Sequence, residues 1–253
     1  MEAILNVQGI TKMYRNGRGI RDVSFAVHRG DVFGLFGPNG AGKTTLLKII
    51  AGLVAAERGD VQLFGHGITT HFEKAMKRVS CLIETADAYA YMSAYNNLKL
   101  VARFYPDLPR TRISETLEWV GLGPYSHEKV SEFSIGMKQR LGLAAAFLPD
   151  PDLVILDEPT NGLDIEGMVE IRKLILKLAS ERGTTFLISS HMIDEMERIC
   201  NRIGILKDGS MICQGKVHEL LNGQMTLEQL YMSAINSTKG AEGYATFVGK
   251  RAE

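Results

Sequence analysis

What this 253-residue sequence lacks narrows the field first. No apolar run approaches the about 18 residues that cross a bilayer, so a membrane-spanning helix is not expected. Cysteine is scarce: Cys81, Cys200 and Cys213 sit among apolar neighbours with no CxxC or Cys/His spacing. That pattern argues against a disulfide framework or a zinc site and predicts small core residues in a reducing compartment. Excess charge of one sign is missing as well, since 29 Lys plus Arg balance 29 Asp plus Glu and the sequence pI is near 7.0. No global electrostatic footprint for nucleic acid follows, and none is expected as a partner. The opening MEAILNVQG is not a signal peptide, and no NKxD guanine reader occurs. The expectation is a cytosolic protein unless a partner holds it at a membrane. What remains, 45% apolar and 23% charged residues, is ordinary globular composition with length for one large domain or two smaller ones.

The chain is organised around DVFGLFGPNGAGKTTLLKIIAG, residues 31 to 52. The apolar run Val32 to Phe36 predicts a strand, Gly37-Pro38-Asn39-Gly40-Ala41-Gly42 a loop, and the stretch carrying Leu46, Leu47, Ile49 and Ile50 a helix. Gly37, four residues, then Gly42-Lys43-Thr44 is the spacing of a phosphate-binding loop. Glycines let several backbone N–H groups converge at the positive end of the following helix. Lys43 reaches β- and γ-phosphates as a point charge, and the Thr44 hydroxyl can ligand Mg²⁺.

Residues 4 to 10 and 22 to 28 read as antiparallel strands ahead of this core. Tyr14, in the polar turn between them, either packs half-buried beneath the loop or stacks its ring on a purine base. Short strands are expected at 60 to 64 and 79 to 83, with His66 a turn residue. Glu84 follows the second strand at the carboxyl edge, where α/β sheets place their ligands, although such an acid is often simply solvated. From 85 to 150 strand signals vanish and helical periods take over, at 93 to 104 and 111 to 120. SEFSIGMKQRLGLAAAFLPDP then reads as a serine-glycine loop and a helix with its body at Leu141 to Leu148, a second candidate anion site at a helix start.

Leu153 to Leu156 is uniformly apolar, as expected of a doubly covered parallel strand, and delivers Asp157 and Glu158 to its carboxyl end. Neighbouring residues on a strand point opposite ways, so the two acids divide the work. Asp157 would face the metal shell and Glu158 would polarise the attacking water. A helix over 166 to 181 closes at Gly183, and a strand over 185 to 189 leads to His191, which is either a cap or a catalytic group. Residues 202 to 207 and 210 to 214, joined by Asp208-Gly209, form a hairpin signal. The end has one helical stretch, MTLEQLYMSAI, followed by a Gly-, Ser- and Lys-rich tail expected to be mobile.

In this order the motifs resemble the ATPase subunit of an ATP-binding cassette (ABC) transporter. GPNGAGKTT is similar to Walker A and LVILDE to Walker B with its glutamate at Glu158. FSIGM stands where that family has its LSGGQ-type signature, NGLD matches the D-loop ending at Asp164, and SSH matches the switch histidine at His191. The likeness covers roughly residues 1 to 220. It implies an α/β fold: a P-loop NTPase core with an N-terminal antiparallel β-subdomain and an inserted α-helical subdomain. The core would comprise residues 1–84 and 151–222, the helical subdomain 85–150, and a C-terminal helix with a mobile tail 223–253.

The resemblance further implies ATP and Mg²⁺ as cofactors and a head-to-tail dimer with a second copy or a paralogous ATPase subunit. Ser134 and Gly136 would then touch a γ-phosphate held by the mate's loop. Phosphate contacts would come from Gly37 through Thr45, that is Gly37, Pro38, Asn39, Gly40, Ala41, Gly42, Lys43, Thr44 and Thr45. Tyr14 would be the adenine platform, Thr44, Asp157 and Glu84 the metal ligands, and Lys43, Glu158 and His191 the catalytic groups. The partner would be a membrane-spanning transporter subunit, with this chain peripheral on the cytoplasmic face. Two departures stand out: the signature carries Phe133, Ile135 and Met137, and Glu84 replaces the usual Q-loop glutamine. LIE, the aromatic-rich loop with Tyr89, Tyr91 and Tyr95, and NNL look like the exporter group that handles lantibiotics, bacitracin and related peptide antibiotics. A soluble cassette acting on ribosomes or DNA is the alternative.

Overall fold

The computed structural model describes residues 2–84, 87–221, 223 and 225–236, and the tail from 237 onward that was expected to be mobile lies outside them. Two compact units divide the chain, residues 1–77 with 185–253, and residues 78–184. The first unit opens with β1 (Ala3–Met13) and β2 (Gly19–His28), then β3 (Val32–Phe36), α1 (Lys43–Ile50), β4 (Arg58–Leu63), β5 (His66–Gly67) and the short α2 (Phe72–Met76). β1 pairs antiparallel with both β2 and β4, giving a four-stranded sheet in the order β2-β1-β4-β5. Both strands of the first hairpin extend beyond their expected bounds, because irregularities in the ladder between Val7 and Ile10 and between Ile10 and Lys12 interrupt the alternation without ending the pairing. His66 also departs from its expected place: Phe64 and Gly65 make the turn at positive φ, and His66 pairs back onto Leu63.

The second unit contains β6 (Val79–Leu82), α3 (Ala94–Ala102), α4 (Arg112–Trp119), α5 (Ile135–Phe147), β7 (Leu153–Asp157) and α6 (Ile165–Arg182). β6 and β7 are parallel, with Leu82 opposite Leu156. Leu153, Val154, Ile155 and Leu156 are fully buried, and each contributes about 1.5–3 kcal/mol of burial. α5 packs against β6, α3 and α4. α6 ends at Gly183 in the left-handed conformation, φ 67°, as its sequence anticipates.

The chain then returns to the first unit through β8 (Thr185–Ser190), α7 (Ile193–Glu197), β9 (Arg202–Lys207), β10 (Ser210–Lys216), α8 (Val217–Leu221) and α9 (Leu227–Asn236). In that unit the order is β10-β9-β3-β8, with β3 parallel to both β8 and β9. Asp208 and Gly209 turn the β9–β10 hairpin with φ of 47° and 79°, the positive pair a tight two-residue hairpin requires. No described helix is long and apolar enough to cross a membrane. The three thiols are free; burial pushes Cys81 up to about 12 and Cys213 up to about 11, and raises Cys200 as well.

Candidate functional site

In the first unit the chemistry starts where β3 stops. All five β3 residues are buried, so the chain leaves the sheet at Gly37, where a side chain would collide with the Leu206 carbonyl. Pro38, Asn39 and Gly40 lie exposed and Ala41 turns back into the core. Ala41 N–H donates to Pro38 O at 3.1 Å, and its carbonyl accepts from Gly209 N–H at 3.1 Å. The β9–β10 turn therefore braces the loop. Gly42, at φ 106°, is the N-cap of α1, and a β-carbon there would meet Ile20. With no side-chain cap at Gly42, the first turn of α1 turns its backbone donors and positive dipole end toward the loop.

Lys43 is only 6% exposed. Its ammonium donates to Gly37 O at 2.7 Å, which folds the cation over the loop it would share with a phosphate. Thr44 and Thr45 follow, half-buried, on the same turn. β8 runs parallel to β3 with Ser190 opposite Phe36, so exposed His191 leaves the sheet at the same edge as Gly37. The helix after it begins at Ile193 with Met192 as its N-cap, so His191 is not that cap. Tyr14 closes the first hairpin: its N–H donates to Arg18 O at 2.8 Å, its ring is 41% exposed, and Lys12 Nζ lies 5.9 Å from the ring centre. Tyr14 is thus exposed, which leaves both readings of it open.

In the second unit, Asp157 ends β7 and is 7% exposed, whereas Glu158 is half-buried at φ 49°. Glu84, exposed two residues past β6, takes φ 65°. Because Leu82 and Leu156 are paired in register, Glu84 and Glu158 stand equally far beyond the ladder, on neighbouring chains. Asn161 N–H donates to Glu158 O at 3.1 Å and Leu163 N–H to Thr160 O at 3.2 Å, winding the segment that leads to Asp164. Asp164 caps α6, accepting from Gly167 N–H at 2.8 Å.

Ser134 caps α5, accepting from Met137 N–H at 3.2 Å. The helix thus begins at Ile135, and the stretch expected to be a serine-glycine loop is its first turn. A hydroxyl that accepts still has its O–H to donate, so capping does not use up Ser134. A β-carbon on Gly136, on that turn, would lie 3.4 Å from Gly162 O, an ordinary contact distance.

Sequence reasoning missed two contributors. Gly209 carried a hairpin signal but none for its bond to the loop, and Gln139, which donates to Pro159 O at 3.2 Å, lay inside the expected loop-and-helix stretch with no sign of its partner. Among the described residues no cluster of three or more His, Cys, Asp or Glu could hold a metal ion. Mg²⁺ accompanying a nucleotide needs only one or two carboxylates besides phosphate and water; the first unit offers the Thr44 hydroxyl and the second the Asp157 carboxylate.

The family model described as ABC transporter matches residues 20–161. The ABC transporter ATP-binding protein YhcH of Bacillus subtilis is 44% identical over 212 residues, which are 84% of this chain and 70% of that protein. The bacitracin transport ATP-binding protein BcrA of Enterococcus faecalis is 38% identical over 220 residues, 87% of this chain and 71% of that one. Among solved structures, an ATP-binding subunit of an ABC transporter superposes with a TM-score of 0.81 at 28% identity, covering 91% of this chain and 99% of the other.

Proposed function

Since the chain belongs to the ABC transporter family as an ATP-binding and ATP-hydrolysing subunit, we propose that it powers export of, or immunity to, a peptide antibiotic through a separate membrane-spanning subunit. The observation that carries the nucleotide half of this reading is the loop from Gly37 to Thr45, whose buried Lys43 folds over it at the start of α1. The substrate half rests on the identity to a bacitracin transport subunit and on the LIE and tyrosine-rich segment from Leu82 to Tyr95.

Lys43 and the loop N–H groups hold the β- and γ-phosphates, and Tyr14 stacks on the adenine. Thr44, Asp157 and Glu84 would hold Mg²⁺, which when bound would neutralise developing phosphate charge. Glu158 takes a proton from the attacking water. His191 stands at the edge where β3 delivers the loop and serves the γ-phosphate. Two subunits pair head to tail, so that Ser134, Gly136 and Asp164 of one complete the site on the other. The working division is a nucleotide-binding core of 1–84 and 151–222, a helical subdomain of 85–150, and a C-terminal segment from 223. The chain would lie peripherally on the cytoplasmic face of the membrane. No observation favours the other reading, a soluble cassette acting on ribosomes or DNA.

The test is Glu158→Gln in protein reconstituted with its membrane subunit. Turnover is expected to fall at least about a hundredfold, as for loss of a general base, with ATP still bound; undiminished hydrolysis removes the base assignment. Bacitracin-type peptides are expected to stimulate the wild-type ATPase, and indifference to every such peptide removes the substrate class.

A further inference from the structure

The start of α5 meets the segment after Glu158 at several points. A side chain on Gly162, which takes φ 78°, would lie 2.9 Å from Ile135 Cγ2. One turn along the helix, Gln139 Nε2 donates to the Pro159 carbonyl at 3.2 Å. Arg140 donates Nη1 to Glu170 Oε2 at 2.7 Å and to Val120 O at 3.3 Å. Its Nη2 lies 2.9 Å from where a β-carbon of Gly167 would stand. The helix capped by Ser134 and the segment carrying Glu158 and Asp164 are thus fastened side chain to backbone.

Of these bonds, the one from Gln139 reaches nearest the chemistry. Pro159 directly follows Glu158 and is buried, and Glu158 itself holds φ 49°. A glutamate keeps that conformation only if its surroundings impose it. Proline has no N–H, so the peptide joining residues 158 and 159 is held through its carbonyl, which accepts from Asn161 N–H at 3.1 Å. That bond lies within the turn itself; the next carbonyl, of Pro159, is held from outside it by Gln139.

We propose that Gln139 is a positioning residue for hydrolysis: by holding the Pro159 carbonyl it sets the direction of the Glu158 carboxylate from the helix that carries Ser134. This rests on the reading of Glu158 as the base. Gln139 is not among the groups assigned to the nucleotide, so its loss is expected to misdirect a carboxylate without weakening ATP binding. An ångström of misplacement can cost about a hundredfold in rate; partial support from Gly162 and Arg140 puts the expected loss nearer about tenfold.

The experiment uses the full chain with Gln139→Leu, Gln139→Lys and Glu158→Gln, measuring kcat, KM, fluorescent-ATP binding and thermal melting. Gln139→Leu is expected to lower kcat about tenfold while KM, ATP binding and Tm stay near wild type. Gln139→Lys, which keeps an N–H donor on a long stem, is expected to recover most of kcat. Wild-type kcat in Gln139→Leu overturns the proposal, as does a loss that Gln139→Lys shares in full or that follows a fall in Tm. An active Glu158→Gln removes the underlying reading. An inactive one beside an undiminished Gln139→Leu removes only the role of Gln139.

Discussion

Lys43→Met separates what the loop lysine does for the fold from what it does for ATP. In the folded chain the ammonium is 6% exposed and donates to Gly37 O at 2.7 Å. Replacing it by an unbranched apolar side chain removes that charge-assisted bond, about 1.5–3 kcal/mol, along with the longer one to Pro38 O at 3.5 Å, and also removes a buried charge whose desolvation opposes that gain. The two nearly cancel, so without nucleotide the melting temperature is expected to move by only about 2–4 °C. The loss toward triphosphate has no such offset. About 2 kcal/mol of charge-assisted bonding corresponds to about thirtyfold weaker binding. At a nucleotide concentration of about 100 times the wild-type Kd, ligand stabilisation falls from about 2.7 to about 0.9 kcal/mol. That removes about 4–7 °C of the ATP-induced rise in Tm for a chain of this size. Differential scanning fluorimetry with and without ATP reads both quantities. A variant that keeps the full ATP-induced rise refutes the phosphate role of Lys43, and one that collapses without nucleotide refutes the near-cancellation.

Tyr14→Ala is expected to weaken ATP binding by about 1–3 kcal/mol, the worth of one stacked base, while Tyr14→Phe keeps it; equal binding by all three proteins in titration calorimetry excludes stacking. The folded thiols hold their protons to higher pH than unfolded ones, so on alkalinisation the unfolded chain releases protons first and stability falls. The decline starts near the usual thiol pKa of about 8.5 and continues to about 11 for Cys213 and about 12 for Cys81. Its slope is at most about 1.4 kcal/mol per pH unit per thiol, and urea titrations from pH 8 to 10.5 that show no decline, or the same decline in a protein with all three cysteines replaced by alanine, sink the assignment. Glu158→Gly relieves the left-handed backbone that Glu158→Gln retains, so the glycine variant is expected to be more stable by about 0.5–1 kcal/mol though equally inactive. Denaturant titration finding the glycine variant weaker would show that φ 49° carries no strain.

How much of this was legible beforehand depended on how local the cause was. Val32–Phe36 was read to its exact bounds, and α6 to within a residue at each end, because a buried apolar run and a glycine-closed amphipathic helix are written in neighbouring residues. Asp208-Gly209 announced its turn for the same reason. The start of α5 was misplaced because Ser134 and Gly136 favour loops by composition, whereas the Ser134 hydroxyl at an N-cap lets the helix begin at once. β1 was read short because an irregular ladder looks like an ending. Contacts such as Gly209 to Ala41 and Gln139 to Pro159 join residues far apart in the chain, and one sequence carries no local mark of them.

The two strained acids connect these threads. Adjacent acids after a buried strand identified the end of β7, but a list of residues could not show that Glu84 and Glu158 each leave paired strands at the same distance beyond Leu82 and Leu156. Nor could it show that both take positive φ, at 65° and 49°. Glycine or asparagine would meet those backbone angles at lower cost, and tight turning alone would be better served by them. The proposed roles of Glu84 and Glu158 at the nucleotide would give a reason for a long carboxylate at both positions. Glu84 is the sharper case, because the resemblance leads one to expect glutamine there. An amide would keep the reach and the oxygen while adding a donor, so Glu84→Gln isolates the effect of charge at that position: it is expected to change the coupling of hydrolysis to transport more than ATP affinity, and a large loss of ATP binding with coupling intact would contradict this.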